Sequence, residues 1–224
     1  MSPAPLVRCL VFDVDDTLYY ERDYVRSGFA AVGVYAEREH GIAGLGPACW
    51  ALFESGVRGS TFDRALAGLG LAPDPALVTE LIGVYRAHPP RIRLLPDAHA
   101  CLERWLGRAY IGIVTDGPPD SQRAKIASLE LNAYVDRVVV TSELGADAGK
   151  PDPRAFALLQ GDSGCDGAEC CYVADNPAKD FAGPRSLGWR TVRLRRVGAL
   201  HASAPSGPDV DREIVTLDEL DEAL

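Results

Sequence analysis

Leu6-Val7-Arg8-Cys9-Leu10-Val11-Phe12-Asp13-Val14-Asp15-Asp16-Thr17-Leu18 is the stretch on which the fold turns. The run from Leu6 to Phe12 is apolar apart from Arg8, and its β-branched and aliphatic members read as a buried strand. Three carboxylates and a hydroxyl then follow between positions 13 and 17. Alternate side chains of an extended backbone share a face, so Asp13 and Asp15 project together, and like charges so placed destabilise one another. A divalent cation resolves the conflict. An Asp-rich turn, with Asp and Thr capping local backbone groups, fits this stretch equally well. The rest of the chain has to decide.

Immediately C-terminal of it the periodicity changes. Tyr24, Phe29, Val32, Val34 and Tyr35 recur at helical intervals through Glu39, with Gly41 as a left-handed cap. Helices are expected over Pro47–Glu54, Thr61–Leu69 and Pro75–His88, and Pro89-Pro90 end the series. Beyond Arg91, strands and helices alternate. Helices over Asp97–Leu106, Asp120–Leu129, Arg154–Leu159 and Ala178–Leu187 separate strands over Ala109–Val114, Arg137–Val140, Cys170–Ala174 and Trp189–Leu194. A surface loop over Gly198–Asp209, an edge strand Glu213–Val215 and a helix Leu217–Leu224 complete the chain. The pattern is α/β: a three-layer, Rossmann-like parallel-sheet core from residues 1–18 and 90–224, interrupted by an all-helical domain over 19–89.

Ligands of such sheets sit beyond the carboxyl ends of the strands. There the sequence places Asp13-Val14-Asp15; Thr115-Asp116-Gly117, a hydroxyl and a Gly turn whose amides face an anion; Lys150, ahead of a helix opened by a capping Asp152 and Pro153 at N1; and Asp175 with Asp180. Taken singly, Thr115 is an ordinary strand end and Asp180 a first-turn acid on a helix dipole. Lys150 is less easily dismissed. Lysine occurs only at 125, 150 and 179 in a chain that otherwise uses Arg, so a compact ammonium is selected there. Four such strand ends together are a site.

Composition narrows the partners. A formal charge of -9 and the lack of any Lys/Arg cluster argue against nucleic acid. The N-terminus has no basic leader and no apolar run of spanning length, so no membrane partner and a cytoplasmic setting are expected. The six cysteines show no CxxC pair and read as reduced, buried thiols.

On Asp13-Val14-Asp15-Asp16-Thr17, Thr115, Lys150-Pro151-Asp152 and the pair Asp175 and Asp180, the chain resembles the haloacid dehalogenase superfamily over nearly its full length, specifically its small-helical-cap phosphatases. The resemblance implies that Asp13 is a nucleophile forming an aspartyl-phosphate and that Asp15 is the general acid and base. It implies Mg2+ held by Asp13, the backbone carbonyl of Asp15 and Asp175 with support from Asp180. Phosphate contacts fall to Thr115, the amides of Asp116 and Gly117, and Lys150. Arg58, beside Gly59, resembles the specificity loop of related caps, and Tyr19, Tyr20 and Arg22 stand at the cap entrance. Dehalogenases of the superfamily lack a carboxylate two residues after the nucleophile, so Asp15 favours phosphate esters. Two positions depart from the pattern: Ala174 replaces a usual Gly, and Asp116 a usual Asn. The expected substrate is a small phosphorylated metabolite (sugar phosphate, nucleoside monophosphate or phosphoglycolate), taken by a monomer or homodimer. A phosphomutase, or a non-catalytic phosphate-binding protein that keeps the fold, is the alternative.

Overall fold

The computed structural model describes residues 6–224; Met1–Pro5, on which the expectation of no basic leader rests, lie outside them. The first strand, β1 (Cys9–Phe12), is fully buried. Four helices follow before the chain returns to the sheet: α1 (Glu21–His40), α2 (Leu45–Glu54), α3 (Thr61–Gly68) and α4 (Pro75–Ala87). Gly41 stops α1 with φ 66°, as its lack of a Cβ allows. Asp74 caps α4, accepting from the Ala76 amide at 3.0 Å ahead of Pro75 at the first helical position.

The return runs α5 (Pro96–Trp105), β2 (Tyr110–Thr115), α6 (Pro119–Ser128), β3 (Arg137–Val140), α7 (Arg154–Ser163), β4 (Cys170–Ala174), α8 (Ala182–Ser186), β5 (Arg190–Leu194), β6 (Arg212–Ile214) and α9 (Leu220–Ala223). The six strands form one sheet in the order β3-β2-β1-β4-β5-β6, with every pairing parallel. Leu10, Phe12, Ile111, Ile113 and Val173 pack on one face against α5 and α6, and Cys9, Val11, Val114 and Tyr172 on the other against α7. Helices therefore cover both sides, and each fully buried large apolar side chain contributes about 2 kcal/mol of transfer free energy. The order reverses direction at the β1/β4 boundary, which opens a crevice past their carboxyl ends.

α1–α4 have an apolar cluster of their own, built on Phe29, Val32, Leu45, Cys49, Phe53, Leu66 and Leu81. Gly33 and Gly46 let α1 and α2 approach closely: a Cβ on Gly46 would lie 2.7 Å from the Phe29 carbonyl oxygen. All six cysteines are free and buried. No helix among the described residues is long and apolar enough to cross a membrane.

Several sequence expectations move. The helix expected over Ala178–Leu187 survives only as α8, because Asn176 and Asp180 bond their own backbone: Asp180 Oδ2 accepts from the Asn176 amide and Asn176 Oδ1 from the Ala178 amide. Pro153 is the N-cap residue of α7, and Asp152 caps from one position earlier, accepting from the Arg154 amide at 2.9 Å. The terminal helix begins with a 3-10 turn at Leu217–Glu219. The stretch over 198–209 is the irregular surface loop expected, with none of its residues buried, but it is tied down. Arg193, fully buried, donates to the backbone oxygens of Asp175, His201 and Ala204 and straps it across the crevice.

Candidate active site

Asp13 directly follows β1, and its amide bonds the Val173 carbonyl at 2.9 Å, which locks it beside the end of β4. Lys150 reaches it from the β3–α7 connection. The lysine Nζ lies 2.9 Å from Asp13 Oδ1 and 2.7 Å from Asp180 Oδ1, with the Tyr172 hydroxyl at 3.0 Å, and none of its side chain is exposed. Burial opposes charge on Lys150, but Asp13 and Asp180 outweigh it and hold its pKa well above the usual value. Burial pushes Asp13 up to about 6 against the pull of Lys150. Asp175 is pushed up to about 9 by burial and by its neighbours Asp13 and Asp180.

Carboxylate oxygens of Asp13, Asp175 and Asp180 all lie within 4.8 Å of one another, and all three residues are buried. Asp175 Oδ2 is buried with no hydrogen-bond partner. Buried, unpaired carboxylate oxygen is costly. A hard divalent cation ligated by these oxygens removes that cost, so this donor set fits Mg2+. Asp15 contributes no carboxylate to the cluster. Its side chain turns toward α6, where Lys125 Nζ lies 2.8 Å from both of its oxygens, Gln122 Nε2 donates at 3.3 Å, and the Tyr19 hydroxyl donates as well. Burial opposes ionisation of Asp15, but Lys125 prevails and its pKa is lowered.

The remaining strand ends tighten the frame. Thr115 is fully buried, and its Oγ1 accepts from Gln122. Asp116 Oδ1 accepts from Thr141 Oγ1 at 2.7 Å and from the Lys150 amide at 3.1 Å, and its Oδ2 pairs with Lys179 at 2.9 Å. That pairing offsets the charge introduced by Asp where Asn is usual. Gly117 sits at φ 139°, a left-handed conformation that disfavours any side chain, and turns the chain toward α6. Ala174 is buried within β4 and is absent from the positive-φ positions, so its methyl costs nothing there. Asp16 at φ 54° accepts from the amides of Glu21 and Leu200 at 2.9 and 2.8 Å, joining the start of α1 to the strap after β5.

These residues enclose a cavity of about 120 Å³, lined by Asp13, Asp15, Asp16, Glu21, Asp116, Asp175, Asn176, Lys179 and His201. Arg58 is not among them. It lies in the helical insert, over the Phe53 ring at 3.9 Å, bonded to the Phe53 and Val57 carbonyls. Tyr19 faces Asp15, Tyr20 bonds the Val197 carbonyl and Arg22 pairs with Glu54 at the surface.

A family model described as haloacid dehalogenase-like hydrolase matches residues 7–188. The chain belongs to that family. Among relatives, a phosphoserine phosphatase of Thermus thermophilus is 34% identical over 154 residues, which cover 68% of this chain and 60% of that protein. A glyceraldehyde 3-phosphate phosphatase of Methanopyrus kandleri is 27% identical over 211 residues, or 85% of each chain. The HAD-hydrolase YfnB of Bacillus subtilis, solved bound to magnesium, superposes with TM-score 0.68 at 18% identity, covering 97% of this chain and 98% of that one. A 2-haloacid dehalogenase of Pseudomonas syringae superposes with TM-score 0.65 at 24% identity over the same shares. At these identities the structural likeness carries the haloacid dehalogenase fold and nothing finer.

Sequence reasoning missed Lys125, Lys179, Gln122, Glu21 and His201. The first two had a signal. All three lysines of the chain pair with strand-end carboxylates, Lys125 with Asp15, Lys150 with Asp13 and Asp180, and Lys179 with Asp116. Gln122, Glu21 and His201 have no such marker.

Proposed function

We propose that this haloacid dehalogenase-like hydrolase is a Mg2+-dependent phosphatase acting on the phosphate monoester of a small metabolite. One observation carries the reading: the cavity is lined by six carboxylate residues and a single ammonium, with Asp175 Oδ2 left unpaired. Such a cavity repels a phosphate dianion unless it also holds a cation. Asp13, Asp175 and the Asp15 carbonyl would hold magnesium, with Asp180 in support. Bound there, the ion supplies charge neutralisation for the phosphate oxygens.

Asp13 attacks phosphorus in line with the ester oxygen, forming an aspartyl-phosphate and releasing the alcohol. Lys150 keeps the Asp13 carboxylate ionised and meets charge developing on the transferring group. The amides of Asp116 and Gly117, with the Thr115 hydroxyl freed from Gln122, receive phosphate oxygens. Asp15 gives a proton to the leaving oxygen and then accepts one from the water that attacks the aspartyl-phosphate, which releases phosphate and restores Asp13. Held on Lys125, Asp15 is ionised; its acid step requires it to leave that ammonium and take up a proton. The insert over 19–89 acts as a cap that excludes water from this exchange. The names of the relatives, phosphatases for phosphoserine and glyceraldehyde 3-phosphate, support the reaction class.

The test is phosphate release from a panel of phosphorylated metabolites with Mg2+ and again with EDTA. Turnover is expected to vanish in EDTA and to fall on the order of 10⁴-fold or more in Asp13→Asn. Undiminished turnover in EDTA, or in that variant, overturns the reading. Isomerised phosphosugar without free phosphate would point to a mutase instead.

A further inference from the structure

The helical insert holds a second cavity that the phosphoryl chemistry does not use. Its volume is about 320 Å³, and Glu21 lines both it and the strand-end cavity, so the two meet at that residue. Its walls are apolar and aromatic. Phe29 is the centre of a ring cluster, with centroids 6.5 Å from Phe53, 5.9 Å from Phe62 and 5.4 Å from Tyr85. Leu200, carried on the strap after β5 and fixed by Asp16, also lines it.

The polar groups present say what does not fit. Arg58 is the one cation of the lining, and its Nη1 already donates to the Phe53 and Val57 carbonyls, both at 2.8 Å, while its charge rests over the Phe53 ring. Glu21 stands at the junction with Asp16 beside it. A leaving group carrying a carboxylate or second phosphate must pass those acids and lose hydration against aromatic walls, and the guanidinium of Arg58, set over the Phe53 ring, has only Nε and Nη2 left to offer it. An uncharged ring or branched chain meets no such penalty, and a cavity of this size admits one.

We infer that the enzyme takes the phosphate monoester of an uncharged, ring-sized apolar alcohol, with the phosphoryl group at Asp13 and the apolar part among Phe29, Phe53, Phe62 and Tyr85. This rests on the phosphatase reading above and divides its candidates: phosphoglycolate, whose leaving group carries a carboxylate, is disfavoured.

Initial-rate kinetics with Mg2+ on benzyl phosphate, glycerol 3-phosphate, phosphoserine and phosphoglycolate test it. All expel an alkyl alcohol, so selection among them reports binding more than leaving-group chemistry. Benzyl phosphate is expected to exceed each of the others in kcat/KM by about tenfold or more, the scale on which apolar pockets discriminate. Val57 lines the pocket from the turn after α2, and Val57→Glu is expected to collapse the benzyl-to-glycerol ratio toward one. Val57→Asn, a milder change at the same loop position, is expected to lower that ratio in the same direction. Polar esters turned over as fast as benzyl phosphate overturn the pocket assignment while leaving the phosphatase reading standing. No phosphate from any ester overturns both.

Discussion

The floor and the roof of this molecule solve opposite problems. At the floor, β1, β2 and β4 end in acids, of which Asp13, Asp15, Asp116 and Asp180 pair with the chain's three lysines at 2.7–2.9 Å while Asp175 Oδ2 is left without a partner, so position is set by ion pairs. In the roof, α1–α4 are held by aromatic and aliphatic packing, and the pocket they enclose is lined mainly by rings and aliphatic side chains. Charge in a buried site is expensive and directional, which suits a fixed reaction. Apolar packing tolerates volume-conserving change, which suits a region that selects leaving groups. The contrast implies that floor variants fail through charge and roof variants through shape.

The largest effect should come from Lys150→Met. It keeps the side-chain volume but strips the shared partner from Asp13 and Asp180, all three with side chains at most 6% exposed. Removing one member of a buried ion pair costs about 3–5 kcal/mol, and a urea titration in EDTA is expected to show a loss of that order. Added Mg2+ should restore part of it by returning positive charge to the same acids. A loss below about 1 kcal/mol would mean that the floor is not governed by charge balance.

The sequence carried the floor further than the roof. Asp13 and Asp175 directly follow strands, Lys150 and Asp180 lie in the connections that leave them, and the structure brings all four within one cluster, because residue type and chain position together name that neighbourhood. The parallel sheet was legible because β1 to β5 are continuous apolar or alternating runs. What the sequence hid depends on side-chain rotation or on bonds between distant loops. Asp15 and Asp13 share a strand end but part company because Lys125, more than a hundred residues away, draws Asp15 toward α6. The short α8 was hidden for a similar reason, since Asn176 and Asp180 bond their own backbone ahead of the helix. Arg58, expected beside Gly59 as a substrate reader, lies outside the strand-end cavity and lines the pocket of the roof, where its Nη1 donates to the Phe53 and Val57 carbonyls.

A roof variant sharpens the division. Gly46→Ala drives a methyl to 2.7 Å from the Phe29 carbonyl oxygen and 3.3 Å from the Gly33 Cα, so α1 and α2 must separate. Overpacking of this kind costs about 1–3 kcal/mol. Phe29 shifts with α1, and kcat/KM for benzyl phosphate is expected to fall more than for glycerol 3-phosphate. If glycerol 3-phosphate turnover is lost as completely as in Asp13→Asn, roof and floor are not separable.

The smallest effect is expected at the margin of the floor, in a pair whose acid also accepts hydrogen bonds from neutral donors that an amide in its place could keep. Asp97 Oδ2, at the start of α5, accepts from the Leu217 amide at 2.9 Å and lies 2.9 Å from Arg196, which in turn donates to the Thr17 carbonyl behind the Asp13–Asp16 turn. Burial opposes ionisation of Asp97, but Arg196 and the Leu217 amide outweigh it, and its pKa is lowered from 3.8. A carboxyl with a depressed folded-state pKa stabilises the fold above its unfolded pKa and loses that contribution as pH falls through the folded value. Asp97→Asn is therefore expected to cost on the order of 1 kcal/mol at pH 7. Its difference from the parent should begin to shrink only as pH falls below about 4, where the unfolded carboxyl takes up its proton. Urea midpoints from pH 7 to pH 2.5 measure this directly. A difference that stays constant across that range would assign Asp97 a role in shape, by the logic of the roof, and would move the boundary between the two regions inward to the carboxylates around Lys150.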